Sequence, residues 1–274
     1  MKEVLITIPT DGRKDYVLDE FITYLNHFTP YGEVIVINTG DKKYEARLKE
    51  KIPYACVVNL TKTEEMTKTE FMYILREKQR ELFLTSKMKY HMMLDSDVLV
   101  PIGVFLRMFA SMKEGFHWVG PWYAMGYSRK GYCYPADARP LVGNAKILTT
   151  PGKEGLDNLT REQLITMPDA FETEVIPLGC SMLSRDIMNN VKFEWCKLVQ
   201  IGEDVMWYGN ASEKGYKALC LNEEVDHISN GVSRDYYDGT SRFEAVMRRG
   251  DDICKKIDMK ELRESKIANP QYVN

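Results

Sequence analysis

The stretch YHMMLDSDVLVP, Tyr90 to Pro101, is apolar enough to be the middle of a buried strand, yet it carries Asp95 and Asp97 with a single serine, Ser96, between them. Residues i and i+2 of an extended chain point to the same side about 6 to 7 Å apart, so the two carboxylates share one region of space. Two such anions repel, and burial raises the cost unless a positive group sits with them. A metal ion is the simplest counter-charge. Hard divalent ions such as Mg²⁺ and Mn²⁺ take carboxylate oxygens readily and hold diphosphate oxygens in their remaining positions.

Upstream, EVLITIP, GEVIVIN and YACVVNL are short, rich in valine and isoleucine and ended by turn residues, the pattern of strands buried on both faces of a parallel sheet. Between the first two, Val17, Leu18, Phe21, Ile22 and Leu25 keep helical spacing. After the third, Phe71, Ile74, Leu75 and Leu82 predict a helix leading into the Tyr90 strand. The first hundred residues therefore read as β-α-β, a short connection and β-α-β, the wiring of a nucleotide-binding α/β half. Ligands in such sheets collect at the carboxyl ends of strands, and three of those ends are chemically marked: PTDGR (Pro9 to Arg13), NTGD (Asn38 to Asp41) and Asp95-Ser96-Asp97.

The chain has 274 residues, 44% of them hydrophobic, enough for a sizeable core. A formal charge of −3 gives no general attraction to nucleic acid, and basic runs such as Lys49 to Lys51 are interleaved with acids, as on a solvated helix face. Six scattered cysteines without metal-ligand spacing fit reduced thiols. No stretch approaches the roughly eighteen apolar residues of a membrane span. A cytoplasmic location is the expectation.

From His117 to about Gly179 the chain is dense in Gly, Pro and aromatic residues without sustained period, and predicts loops and short strands. Trp118, Trp122, Tyr123, Tyr127, Tyr132 and Tyr134 suit either core packing or the binding of sugar rings and bases. Order returns with Ser184 as the N-cap of a short helix that has Asp186 in its first turn. Glu203 and Asp204 open a second helix that ends near Gly215, and YKALCL follows as a strand. Beyond Ile228, SRFE (Ser241 to Glu244) has capping-box spacing. The stripe Phe243, Val246, Met247, Ile253 and Ile257 then predicts a helical extension.

In order, REKQRE (Arg76 to Glu81), MMLDSDV, GEDVMWYGNASEKGYK and VDHI resemble the nucleotide-sugar-dependent GT-A glycosyltransferases, nearest their GT2-like branch. The resemblance spans about residues 3 to 230. It implies an α/β GT-A fold over residues 1–230, with a nucleotide-binding half at 1–100, an acceptor half at 101–230 and an extension at 231–274. No Q-x-x-R-W sequence of the processive synthases is present.

The same resemblance implies roles by position. Asp97 would hold Mn²⁺ or Mg²⁺ through the donor diphosphate, with His227 a further ligand, and Asp95 and Ser96 would lie nearer the ribose. Pro9, Thr10, Asp11, Arg13, Asn38 and Thr39 would hold the base and ribose, and Arg76 would contact the nucleotide. The donor would be a nucleotide-diphosphate sugar of UDP or GDP type, the acceptor a glycan, lipid-linked sugar, protein or small molecule. In inverting members the aspartate of the E-D pair is the general base, here Asp204 beside Glu203. In a retaining enzyme Asp204 would only position the acceptor. The alternatives are a nucleotidyltransferase making nucleotide sugars, for which PTDGRKDY lacks the expected glycine-rich loop, and a non-enzymatic carbohydrate-binding protein on a degenerate version of the fold.

Overall fold

The computed structural model describes residues 2–123, 128–129, 132–133, 142–147, 157–160, 164, 166–173, 175–195, 203–228, 244–249 and 253–258. The N-terminal part is built from β1 (Val4–Thr10), a 3-10 turn at Asp15–Val17, α1 (Leu18–Asn26), β2 (Gly32–Asn38), α2 (Lys42–Lys51), β3 (Cys56–Asn59), α3 (Lys68–Thr85) and β4 (Tyr90–Leu94). Then follow β5 (Val98–Leu99), α4 (Ile102–Lys113), β6 (Trp118–Trp122) and two short pairs, β7 (Ser128–Arg129) with β8 (Tyr132–Cys133) and β9 (Val142–Ile147) with β10 (Asp157–Thr160). The rest comprises β11 (Ala170–Thr173), β12 (Cys180–Ser184), α5 (Arg185–Asn190), α6 (Glu203–Glu213), β13 (Ala218–Glu224), β14 (Asp226–His227), β15 (Glu244–Arg249) and β16 (Ile253–Asp258).

Eight strands form one sheet in the order β11-β13-β6-β12-β4-β1-β2-β3. Only β12 and β11 run against the rest, so the sheet is mostly parallel. Parallel strands need helical crossovers, and those helices cover both faces. The consequence is visible residue by residue. Val4, Ile6 and Ile8 of β1 with Met92 and Leu94 of β4 pack on one core, with Phe21 and Leu25 of α1 and Phe105 and Met108 of α4. Leu5 and Met93 face the other, with Phe83 of α3, Ile187 of α5 and Trp207 of α6. Two-sided burial is why these strands read as continuous apolar runs.

Local signals set the helix ends. Asp41 caps α2 by accepting the Tyr44 amide at 2.7 Å, Thr67 caps α3 through the Glu70 amide at 3.1 Å, and Ser184 caps α5 through Ile187, as its sequence context predicts. Gly215, at φ +79°, closes the turn after α6. Arg185 secures the far end of α3, donating to the carbonyls of Leu84, Ser86 and Met88 while its guanidinium lies 4.6 Å over the Phe83 ring.

Three expectations are corrected, and one open reading is decided. The short connection between β2 and β3 contains the ten-residue helix α2, whose one buried residue is Leu48; so thin an apolar stripe leaves little periodic signal. The β3 strand lies at the sheet edge and is half-exposed, not buried on both faces. Of the two readings open for the aromatics, Trp118, Trp122 and Tyr123 take core packing, in and just after the short buried strand β6; Tyr127 and Tyr134 lie outside the described residues. The stripe from Val246 to Ile257 forms the antiparallel hairpin of β15 and β16, for which the Gly250-Asp251-Asp252 interruption is a turn signal that a helix would have to tolerate. Phe243 falls outside the described residues.

The buried face of α3 is also not the purely apolar stripe that the spacing predicts. Ile74 and Leu82 are only partly buried, while Arg76 and Gln79 sit in the middle of the face with Phe71, Leu75 and Phe83. Gln79 donates to Thr7 Oγ1 at 2.9 Å, and Thr7 Oγ1 is 2.8 Å from His91 Nε2. His91 is fully buried and stacks on Phe83 with ring centroids 4.9 Å apart. Burial first, and the nearby Arg76 charge second, push its pKa down to about 3.

Two measurements probe these cores. Phe105 is fully buried and stacked on Phe28 at 4.6 Å, whereas the neighbouring Leu106 is exposed. Phe105→Ala is expected to cost about 3–5 kcal/mol in urea unfolding, and Leu106→Ala less than about 0.5 kcal/mol; equal losses would contradict the packing. His91 stays neutral in the fold while the unfolded chain takes up a proton below about pH 6.5. Stability is therefore expected to fall with pH between 6.5 and 5, by up to about 1.4 kcal/mol per pH unit from this group, and His91→Leu should flatten the profile. Parallel profiles for the two proteins would remove His91 as the cause.

Candidate functional site

The two aspartates leave β4 at its carboxyl end, beside the end of β1, and backbone bonds gather three distant segments around them. The Asp95 amide donates to Gly179 O at 2.8 Å, tying the turn to the start of β12. The Ile228 amide donates to Asp97 O at 2.8 Å, and β14 pairs with β5 so that His227 lies opposite Val98. Tyr16 closes the third side by donating its hydroxyl to Ile228 O at 2.9 Å. Residues far apart in the chain are thus fixed at one sheet edge by main-chain geometry.

Asp97 is 4% exposed. One of its oxygens, Oδ2, is shared by the Lys14 ammonium and by His227 Nε2, the latter at 3.3 Å. Burial alone would raise the carboxyl pKa, but the His227 hydrogen bond and charge, with Lys14 adding to them, outweigh it and hold Asp97 at about 2. The second ring nitrogen of His227, Nδ1, is buried and has no hydrogen-bond partner among the described residues, and the Tyr123 ring packs 4.7 Å from the imidazole.

Asp95 faces a different partner. Its Oδ1 lies 3.3 Å from Arg76 Nη2, while Arg76 Nη1 donates to Gln79 Oε1 at 3.0 Å. On its other edge the Arg76 Nε is 3.7 Å from Glu203 Oε1, at the first residue of α6. A buried guanidinium therefore links the β4 end to the E-D pair. Burial raises the Glu203 pKa; Arg76 opposes this and Asp204 adds to it, leaving the group above the ordinary glutamate range. Gly179 completes the packing, because a Cβ there would come within 2.4 Å of Asp95 Oδ2.

The remaining strand-end residues occupy the same edge. Thr10 and Asn38 are in register at the ends of β1 and β2, and Thr39 returns its amide to Thr10 O at 2.8 Å. Thr10 Oγ1 meets Tyr44 Oη at 3.0 Å, Pro9 is partly buried within β1, and Ser96 is buried between the aspartates. Asp11 is engaged with the amide and side chain of Arg13, whose guanidinium is otherwise in solvent. Asn38 donates to Asn59 Oδ1 and accepts the Gly40 amide, both at 2.9 Å, and so shapes the loop with the polar atoms expected to meet a base.

The structure thus brings Asp95, Asp97, His227, Arg76 and Glu203 into one cluster, with Asp204 half-buried at its margin. Arg76 points inward to protein carboxylates. Lys14, Gln79 and Gly179 belong to the cluster and were not singled out by sequence reasoning; Tyr123, named there among the aromatics, belongs to it as well. Of the first three only Lys14, adjacent to the marked PTDGR end, carries a local signal.

The donor set can be tested against a divalent ion. Asp97 Oδ2 and His227 Nε2, 3.3 Å apart, suit adjacent positions on one ion with bonds of about 2.0–2.2 Å. Asp95 Oδ1 is turned to Arg76, and among the described residues no group of three or more metal-binding side chains occurs. Two protein donors fit, leaving most positions of an ion to substrate and water. Also among the described residues, Cys56, Cys180 and Cys220 are free thiols, and no helix is long and apolar enough to cross a membrane.

No family model and no curated protein matches the sequence. Among solved structures, A197 from STIV shares 14% identity over 92% of this chain and 97% of its own, with a TM-score of 0.46. A 4-diphosphocytidyl-2C-methyl-D-erythritol synthase shares 10% identity over 81% and 88%, with a TM-score of 0.43. The mannosyltransferase PcManGT from Pyrobaculum calidifontis, solved with GDP-Man and Mn²⁺, shares 13% identity over 83% of this chain with a TM-score of 0.50, and the chain spans 57% of its length. This last likeness shows the fold, a GT-A-like α/β architecture around a large, mostly parallel sheet.

Proposed function

We propose that the chain is a metal-dependent glycosyltransferase that moves a sugar from a nucleotide-diphosphate sugar, of UDP or GDP type, to an acceptor hydroxyl. The observation that carries this reading is the convergence of Asp97 and His227 on one side of the β4 end, with Arg76 linking Asp95 to Glu203 on the other. Donor-side and acceptor-side carboxylates then flank a single edge, the place where an α/β sheet receives its ligands.

In this reading Asp97 and His227 hold Mn²⁺ or Mg²⁺. The ion, when bound, offsets the charge that develops on the departing nucleoside diphosphate. Asp95, oriented by Arg76, faces the ribose, so Arg76 serves the nucleotide through Asp95. The β1 and β2 ends, Pro9 to Arg13 with Thr39, cradle the base and ribose. Asp204 takes the proton from the acceptor hydroxyl as it attacks the anomeric carbon. The GDP-Man and Mn²⁺ in the mannosyltransferase of similar fold support the choice of donor class and metal.

A thermal-shift screen against UDP-, GDP-, CMP- and dTDP-sugars, each with Mn²⁺, Mg²⁺ or EDTA, tests the reading, because a ligand of the native state raises apparent stability by mass action. Stabilisation by one nucleotide class, lost in EDTA, is the expected result. Asp97→Ala should abolish that shift, whereas Asp204→Asn should keep it and lose transfer by about 10²-fold or more. Equal loss of donor binding in both variants would refute the division of labour. Stabilisation only by a nucleoside triphosphate with a sugar phosphate would favour a nucleotidyltransferase.

A further inference from the structure

We propose that Lys14 is the resident cation of the Asp97 site, and that it excludes a divalent ion until a diphosphate draws the ammonium away. The inference rests on the donor-site reading above and concerns how that site is loaded. Lys14 and His227 address the same oxygen of a carboxylate that is almost wholly buried. Such an anion needs a positive neighbour, and the lysine supplies it in the ligand-free fold. An ammonium and a divalent ion cannot both sit on Asp97 Oδ2, so one must leave for the other to bind.

The lysine is placed to be the one that moves. Its loop is anchored on both sides, by β1 and by the Tyr16 bond to Ile228 O, so its backbone is fixed while its side chain is about one-third exposed. A flexible four-carbon stem lets the ammonium swing from Asp97 toward solvent. Arg13, on the same loop, already points there. A diphosphate arriving at this edge would offer Lys14 a new anion and supply ligands to the ion in the same step. Metal and diphosphate binding would then be positively coupled, and the coupling is reciprocal.

The test is Mn²⁺ binding, followed by the paramagnetic resonance of free Mn²⁺, with and without UDP or GDP. Wild type is expected to bind Mn²⁺ alone weakly and to gain about tenfold or more from the matching diphosphate. Lys14→Met should bind Mn²⁺ alone about tenfold or more tightly than wild type, with a smaller gain from diphosphate. Lys14→Arg should keep the wild-type pattern. Cooperative melts establish that each variant folds; if Lys14→Met is destabilised by its unpaired carboxylate, Mn²⁺ alone should raise its Tm more than it raises that of wild type. Coupling in wild type with unchanged Mn²⁺ affinity in Lys14→Met would overturn the role of Lys14 and leave the donor site standing. No Mn²⁺ binding by wild type with any diphosphate would overturn both.

Discussion

A carboxylate buried at the end of a sheet strand must be given positive company, and the arrangement around Asp97 follows from that need. The β14 segment is stitched to β5 beside it, the loop after β1 is pinned against Ile228, and the two segments deliver His227 and Lys14 to one oxygen. An isolated ion there would be expensive, while an ion shared among fixed partners is stable and poised. The cation that the fold itself supplies there, the Lys14 ammonium, is a side chain that another cation can replace.

A second buried charge ties this corner to the other core. Arg76 enters from α3, on the face opposite α1 and α4, and reaches Asp95 and Glu203 from below the sheet edge. Behind it, Gln79, Thr7 and His91 continue a polar line through the middle of apolar packing. Every step of the line is hydrogen-bonded, which keeps its burial tolerable. The cost falls on His91, whose Nδ1 is buried with no partner among the described residues. Rigid support for Asp95 is thus obtained by accepting two buried atoms without a hydrogen bond among the described residues, this one and Arg76 Nε.

Much of the N-terminal part was legible because two-sided burial leaves a strong trace. Val4 to Thr10, Gly32 to Asn38 and Tyr90 to Leu94 can hardly be read as anything but inner strands. The acidic turn after β4 was legible because carboxylates are costly in an apolar run, and the E-D helix start because acids are favoured in the first turn of a helix. What escaped depends on three-dimensional partners. The stem of Lys14 looks like any loop lysine until Asp97 is placed beside it. Gln79 looks like part of a solvent-facing stripe until Thr7 is seen to receive it, and Arg76, expected to meet the nucleotide, turns to Asp95 and Glu203. The ten residues from Lys42 to Lys51 bury only Leu48, so hydrophobic periodicity carried almost no signal for α2.

The cluster is assembled from residues near positions 14, 76, 95, 179, 203 and 227, and no two of its parts become neighbours through local structure alone. Contacts of such long sequence separation form only after the chain has closed large loops, and such closures slow the folding of parallel-sheet proteins. In this chain β4 meets β12 across more than eighty residues, and β14 meets β5 across still more. The edge that carries Asp97 and His227 is therefore complete only once β14 has paired with β5. A ligand that recognises this edge would act as a proofreader of the finished fold, holding only those molecules in which the segment bearing His227 has already paired beside Asp97.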